Sequence, residues 1–320
     1  MAVPVLDFSV YQLGKENIPE ADLEKLSDEL RKAFTEVGFV YLKNTGINQE
    51  EVEKVMSVSK RFFSLPENKK KPFSRGNYTC NVNHGWVSLE TESLNPHRPG
   101  DLKEAFNTTS LKEDIPSEEV ADFRDTKVSF FLRCKELALK VLRLMAIGLG
   151  MDSEVFVNKH KHIGNLHDEV CFKVLRMEPH YGVSTPVDST RVKENQVRCG
   201  EHSDYGSITL LFQSSEDGLQ VQNRAGEFVS APCIPGTVLV NIADLMQRWT
   251  SDVYVSVVHR ILLPPAGDSR TRQSLAFFVQ PEDESIIKCC DGSDKYPPIK
   301  TVDYFTSRFN DTYGKKPNLV

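Results

Sequence analysis

Near Cys171 the chain changes its hydrophobic period, and that change restricts the fold more than any other feature. Before it, apolar residues recur three and four apart, as on one face of a helix; after it they alternate with polar ones, as in a half-buried strand. In PEADLEKLSDELRKAFTEVGFVYL, Leu23, Leu26, Leu30, Ala33 and Phe34 predict a helix that Gly38 stops, and GFVYLKN then reads as a strand. A second helix is expected over NQEEVEKVMSVSKRFFSLP, burying Val52, Val55, Met56 and Phe62 and ending at Pro66. Pro116 introduces the longest helical stretch, SEEVADFRDTKVSFFLRCKELALKVLRLMAIGLGM. Beyond Cys171, short strands are separated by turn signals such as EDG, RAGE, IPG and PPAGDS, and TVDYFTSRFNDTYGKK closes as an amphipathic helix. A helical region over 1–165 is thus followed by an all-β region with a closing helix over 166–320. Few linker signals separate the two, so one compact unit is expected.

Composition narrows the function classes. A hydrophobic content of 39% and a charged content of 26% are those of an ordinary globular enzyme. The net charge is -6 and the only dense basic run is Lys69 to Lys71, so no nucleic-acid partner is expected. Seven cysteines without a CxxC suggest neither a disulfide framework nor a zinc ribbon, and a reducing, cytoplasmic compartment fits them. MAVPVLDFSV lacks a basic start and an apolar core, and no apolar run nears 18 residues, so neither secretion nor membrane insertion is expected. A monomer acting on a small molecule is the simplest reading.

The chemistry-bearing residues sit in the β half. Read as one strand, CGEHSDYGSITLLFQ places His202 and Asp204 on the same face as Ile208, Leu210 and Phe212. A carboxylate there is costly unless paired or bound to a metal. In DVYVSVVHRILLPP, the stripe Val253, Val255, Val257, His259, Ile261 and Leu263 is interrupted only by His259. The next strand, TRQSLAFFVQP, follows a turn around AGDS. Paired as a hairpin with His259 opposite Ala276, it puts Arg272 and Ser274 on the same inward face. Two histidines and a carboxylate on one side of a metal form the facial arrangement of non-haem Fe(II) oxygenases, and an arginine fork suits the far end of a dicarboxylate.

GEHSDYGSITLLFQ, PGTVLVNIADLMQRWTSDVYVSVVHRI and RQSLAFFVQP closely resemble the isopenicillin N synthase-like branch of the Fe(II)/2-oxoglutarate-dependent dioxygenases. VPVLDFS, LRKAFTEVGFVYLKNTGI, FFSLPENKKKPF, HGWVSLETE and DLKEAFN resemble the N-terminal part of that family, so the likeness spans nearly the whole chain. It implies a mainly β fold with α elements: a double-stranded β-helix, or jelly roll, wrapped by N-terminal and C-terminal helices. It implies Fe(II) on His202, Asp204 and His259, with Arg272 and Ser274 on the distal carboxylate of 2-oxoglutarate. Tyr181, in VLRMEPHYGVSTP, stands near the family's cofactor-contacting tyrosine, but without the proline pair that relatives carry after it. The implied reaction consumes dioxygen, decarboxylates 2-oxoglutarate to succinate and hydroxylates or desaturates a small organic molecule, with ascorbate as activator. A 2-oxoglutarate-independent Fe(II) oxidase of the isopenicillin N synthase type is the alternative, followed by a non-redox metal-binding protein. Relatives that demethylate nucleic acid carry a second arginine six residues after the first, where this chain has Phe278. The segment 83–107, with His84, Trp86 and Phe106, is expected near the pocket, as are Phe278 and the closing helix.

Overall fold

The computed structural model describes residues 2–77, 84–108, 116–163, 179–183, 192–265 and 271–313, with the backbone alone for 179–183 and 309–313. In chain order its elements are β1 (Val5–Asp7), α1 (Glu20–Glu36), β2 (Phe39–Lys43), α2 (Gln49–Phe63), α3 (Glu67–Lys70), β3 (Gly85–Val87), β4 (Ala105–Asn107), α4 (Phe123–Gly148), α5 (Glu154–Val157) and β5 (Pro179–Val183). They continue with β6 (Cys199–His202), β7 (Ile208–Gln213), β8 (Leu219–Gln222), β9 (Phe228–Ser230), β10 (Thr237–Ile242), α6 (Asp244–Trp249), β11 (His259–Ile261), β12 (Gln273–Val279), β13 (Ile286–Ile287), β14 (Ile299–Lys300) and α7 (Thr301–Tyr313).

The helices form where the sequence periodicity puts them, except that the longest begins at Phe123 instead of directly after Pro116, because Asp122 at φ +63° breaks the helical backbone there. Along α1, Leu26, Leu30, Ala33 and Phe34 are buried, and Gly38 stops the helix at φ +75° with its N–H on the Ala33 carbonyl. Helix α2 starts in a capping box: the Asn48 side chain accepts from the Glu51 N–H and the Glu51 carboxylate accepts from the Asn48 N–H, both at 2.8 Å. Helix α4 packs its phenylalanines onto the strands, Phe130 against Phe212 at 5.0 Å and Phe131 against Phe277 at 5.1 Å between ring centroids. Each such buried side chain contributes about 2 kcal/mol relative to exposure.

The strands form a major sheet in the order β1-β2-β10-β7-β12-β5-β4-β3 and a minor sheet in the order β6-β11-β8-β9. The strands alternate their side chains between two cores. Val40, Leu42, Ile208, Leu210, Phe212, Leu275 and Phe277 of the major sheet pack with the helices. Phe39, Tyr41 and Leu239, with Leu211 beside them, pack instead against Leu219 and Val221 of the minor sheet. The result is a jelly roll with a helical layer on the outside of its larger sheet. Because β1 and β2 belong to that sheet, the first and second halves of the chain share one layer.

The structure corrects three expectations from the sequence. Cys199–Gln213 is not one strand: β6 lies in the minor sheet and β7 in the major one. The carbonyls of Asp204, Tyr205 and Gly206 accept from Asp244 and Leu245 N–H groups at the start of α6, so this stretch satisfies a helix end rather than a ladder. The chain can pass so close to β12 because residue 206 is glycine; a Cβ there would sit 2.5 Å from the Val279 carbonyl oxygen. Consequently Ile208, Leu210 and Phe212 face the helices, while Thr209, Leu211 and Gln213 face the jelly-roll interior. Next, β11 and β12 do not form a hairpin. β11 pairs with β6 and β8, whereas β12 pairs with β5 and β7. The connection between them crosses from one sheet to the other, a jelly-roll connection that local turn signals do not distinguish from a hairpin. Finally, the strand in DVYVSVVHRILLPP is confined to His259–Ile261, and Tyr254, off the expected stripe, is fully buried with its hydroxyl on the Met145 carbonyl at 2.7 Å.

Candidate metal and co-substrate site

His202 ends β6, Asp204 lies two residues beyond it, and His259 opens β11 directly opposite His202. One donor atom from each of the three lies within 4.8 Å of the others. Asp204 Oδ1 is 3.7 Å from His202 Nε2 and 3.8 Å from His259 Nε2. Among the described residues this is the one cluster of three His, Cys, Asp or Glu side chains with metal-binding spacing.

The hydrogen bonds behind these atoms orient them. His202 Nδ1 lies 2.8 Å from the Gly200 carbonyl and His259 Nδ1 lies 3.1 Å from the Val257 carbonyl. A carbonyl only accepts, so each Nδ1 carries its proton and each Nε2 presents a lone pair to the cluster. Asp204 is arranged likewise. Its Oδ2 accepts from Thr209 Oγ1 at 2.6 Å and from Asn241 Nδ2 at 2.8 Å, which leaves Oδ1 facing the histidines. Burial pushes the Asp204 carboxyl up, but His259, His202 and these two donors outweigh burial and hold it below the usual carboxylate range. Burial, reinforced by His202, pushes the His259 imidazole down against the opposing pull of Asp204. Phe39 meets the His259 ring edge-on at 5.5 Å between centroids and closes that side with hydrocarbon.

Arg272 is 2% exposed. Its Nη2 donates to Gln213 Oε1 at 2.6 Å and its Nη1 to Ser274 Oγ at 3.4 Å, while Nε has no partner among the described residues. No carboxylate among the described residues pairs with it. Burial, together with the nearby Arg198, brings its guanidinium down to about 10. An orphaned donor on a buried, uncompensated cation is the environment that an incoming carboxylate relieves. Ser274 precedes Ala276 and Phe278 on the interior parity of β12, as expected, although the route back to His259 runs across two sheets.

Sequence reading missed Thr209, Asn241 and Gln213, whose roles follow from strand parity. The signal for Asn241 was an amide inside the apolar run TVLVNI, 2% exposed. Tyr181 falls in β5 opposite Leu275, and its side chain lies outside the described part. His84, Trp86 and Phe106 are buried in or against the helical core: Trp86 donates to Glu104 at 2.8 Å, and Phe106 packs edge-on against Phe62 and His84. Asn83 lies outside the described residues.

Comparison with known proteins decides the family. Residues 168–281 match the model of the 2OG-Fe(II) oxygenase superfamily, and residues 3–128 match the N-terminal model of non-haem dioxygenases in morphine synthesis. The chain is 31% identical to UPF0676 protein C1494.01 of Schizosaccharomyces pombe, covering 98% of this chain and 94% of that one. A full-length Neurospora crassa protein, crystallised in complex with alpha-KG and 5-formyluracil, superposes with a TM-score of 0.79 at 30% identity, covering 95% of this chain and 94% of that one. The chain belongs to the 2OG-Fe(II) oxygenase superfamily.

Within that superfamily it is an oxidoreductase of the isopenicillin N synthase-like kind, using Fe(II) and 2-oxoglutarate. The 2-oxoglutarate-dependent dioxygenase frbA of Dothideomycetidae sp. is 28% identical over 90% of this chain and 88% of its own length. The alternative that dispenses with 2-oxoglutarate is not favoured. The residues present suit these groups: two imidazoles whose Nδ1 atoms are committed to carbonyls and one carboxylate form a facial set fit for Fe(II), and a buried arginine whose Nε has no partner among the described residues suits a dicarboxylate.

Proposed function

We propose that His202, Asp204 and His259 hold the Fe(II), and that Arg272 and Ser274 bind the distal carboxylate of 2-oxoglutarate; Tyr181, opposite Leu275 rather than Ser274, falls on the strand parity that packs with the helices, and its place in the site rests on the family resemblance alone. The observation that carries this reading is the pairing of the two arrangements inside one jelly roll: three donor atoms within 4.8 Å, and a buried guanidinium whose Nε lacks a partner among the described residues. When bound, Fe(II) with 2-oxoglutarate supplies the oxidising power drawn from dioxygen, leaving succinate and carbon dioxide.

The chain's residues orient and shield. Gly200 and Val257 carbonyls fix the histidine tautomers, and Thr209 and Asn241 fix which carboxylate oxygen of Asp204 points inward. Gln213 holds one arm of the Arg272 fork, so the guanidinium presents its remaining edge in a set plane. Phe39 and the apolar residues between the sheets exclude water from that space. The prime substrate is a small organic molecule, hydroxylated or desaturated at a C–H bond. The Neurospora crassa complexes, which hold thymine or 5-formyluracil beside alpha-KG, support this size class. The acidic charge supports a protein without a nucleic-acid partner, and the reading takes it as a cytoplasmic monomer. Among the described residues no helix is long and apolar enough to cross a membrane.

The test is succinate formation from 2-oxoglutarate with Fe(II) and ascorbate under air. Wild type is expected to make succinate slowly even without prime substrate, and Asp204→Ala and Arg272→Ala are expected to make none. Turnover by the Asp204→Ala variant at the wild-type rate would refute the ligand assignment.

A further inference from the structure

The two histidines are joined on the far side of their strands as well as at the cluster. His202 lies opposite His259, but Ile261 lies opposite Cys199, so two steps along β11 face three along β6. β6 therefore carries an extra residue beside His202. Such a bulge re-aims the neighbouring side chain and must be held by something outside the ladder.

Two contacts hold it. Asp101, 1% exposed, accepts the Gly200 N–H on Oδ1 at 2.9 Å, and the carbonyl of that same glycine takes the His202 Nδ1 proton. Glu201 is gripped more heavily. Its Oε2 accepts from Arg98 Nε at 2.7 Å and Asn95 Nδ2 at 2.8 Å; its Oε1 accepts from Arg98 Nη2 at 2.7 Å and Arg260 Nη1 at 3.0 Å. Arg260 is itself fixed, by Gln220 Oε1 at 3.0 Å and by stacking 3.9 Å over the Phe228 ring. The bidentate bond from Arg98, aided by Asn95 and Arg260, keeps the Glu201 carboxyl well below its usual range.

Glu201 directly precedes one proposed ligand and Arg260 directly follows the other. We propose that Glu201 is a positioning residue for the metal: through its ion pair with Arg260 and its clamp by Arg98, it sets the separation and tilt of the His202 and His259 rings, whose centroids are 4.2 Å apart. Its carboxylate faces Arg98 and Arg260, so it acts through the backbone of its neighbours. An ordinary surface ion pair would move stability slightly and metal affinity not at all; a positioning pair moves metal affinity most.

This inference rests on the assignment of His202, Asp204 and His259 as the iron ligands, and one experiment separates the two. Anaerobic Fe(II) titration, by calorimetry and by the charge-transfer band formed with 2-oxoglutarate, is run on wild type, Asp204→Ala, Glu201→Gln, Glu201→Ala, Arg260→Met and the Glu201→Ala/Arg260→Met double variant. Apo thermal midpoints are recorded alongside. Glu90→Gln, which breaks the more exposed Glu90–Lys193 pair at 2.6 Å, is the control. Glu201→Ala and Arg260→Met are each expected to weaken Fe(II) binding by about 10- to 100-fold and to shift the band, with Glu90→Gln unchanged. The double variant should be no weaker than the worse single one, because both remove the same tie. Folded Glu201 and Arg260 variants that bind Fe(II) as wild type does, or single losses that multiply in the double variant, would overturn the proposal. Wild type that fails to bind, or Asp204→Ala that binds normally, would overturn the ligand assignment instead. Should Glu201→Ala not fold, Glu201→Gln and Arg260→Met read the same tie.

Discussion

At the scale of single residues, the site is a set of atoms whose alternative uses have been removed. Each imidazole proton is committed to a carbonyl and one oxygen of Asp204 is committed to Thr209 and Asn241, so only the inward atoms are left for a metal. Thr209→Val keeps the shape of the side chain and removes one donor. It is expected to lower Fe(II) affinity by about 10-fold with the fold intact, measured by anaerobic titration beside circular dichroism; wild-type affinity would mean that Asn241 alone orients the carboxylate. Arg272→Lys keeps the charge and loses the planar fork, so it should raise the KM for 2-oxoglutarate by about 10-fold or more while leaving Fe(II) binding alone. Equal KM values would show that charge, and not geometry, selects the co-substrate. The proposed ligands were legible in the sequence because HxD, a later histidine in an apolar stripe and RxS are local patterns. Thr209, Asn241 and Gln213 were not, because their partners lie across strands whose register no local pattern reports.

At the scale of elements, what the sequence showed was period and what it concealed was where a period stops. The helices α1 and α2 follow their apolar spacing closely, and α4 does so from Phe123 onward. CGEHSDYGSITLLFQ carries no helix-breaking or turn dipeptide to mark an end, yet it breaks at Ser203–Ser207 because the start of α6 takes up its carbonyls. A buried histidine secures the far end of that break. His160, 1% exposed, has Nδ1 on the Phe156 carbonyl at 2.7 Å, so its Nε2 accepts the Ser207 hydroxyl at 2.9 Å. Burial brings His160 down from 6.5 to about 4. Between those pH values the unfolded chain binds a proton that the folded chain refuses, so stability rises with pH there. The full contribution, about 3 kcal/mol, is present above pH 6.5 and is lost as the pH falls toward 4. Urea denaturation of the apo protein across that window should show the decline, and His160→Gln should flatten it; parallel curves would assign the slope to other groups. Gly38 is the other element-scale constraint. It turns the chain from α1 into β2 at positive φ, and an added Cβ would overlap the Val255 carbonyl oxygen, so Gly38→Ala should cost about 2 kcal/mol or more in denaturant unfolding.

At the scale of the whole molecule, the helical layer packs one face of the major sheet and the minor sheet packs the other, which leaves the interior between the sheets for polar groups. Placing Arg272 there is unfavourable for the apo protein, since it is a buried charge awaiting an opposite one, and Asp204, although held ionised by its partners, keeps one oxygen open to a metal. Ligands that complete these groups should therefore stabilise the fold in separable steps. A metal ion and 2-oxoglutarate, each at about 100 times its dissociation constant, add about 3 kcal/mol apiece by mass action. Under anaerobic conditions the thermal midpoint should climb once with Fe(II) and again when 2-oxoglutarate follows. Arg272→Met should keep the first rise and lose the second, and its apo midpoint should lie above that of wild type if relief of the buried charge exceeds the lost Gln213 bond. Asp204→Ala should lose both, because the co-substrate's keto acid end has no metal to meet. A second rise that survives in Arg272→Met would place the distal carboxylate elsewhere in the jelly roll, with Arg198, also fully buried and close enough to depress the Arg272 guanidinium, as the cation nearest to hand.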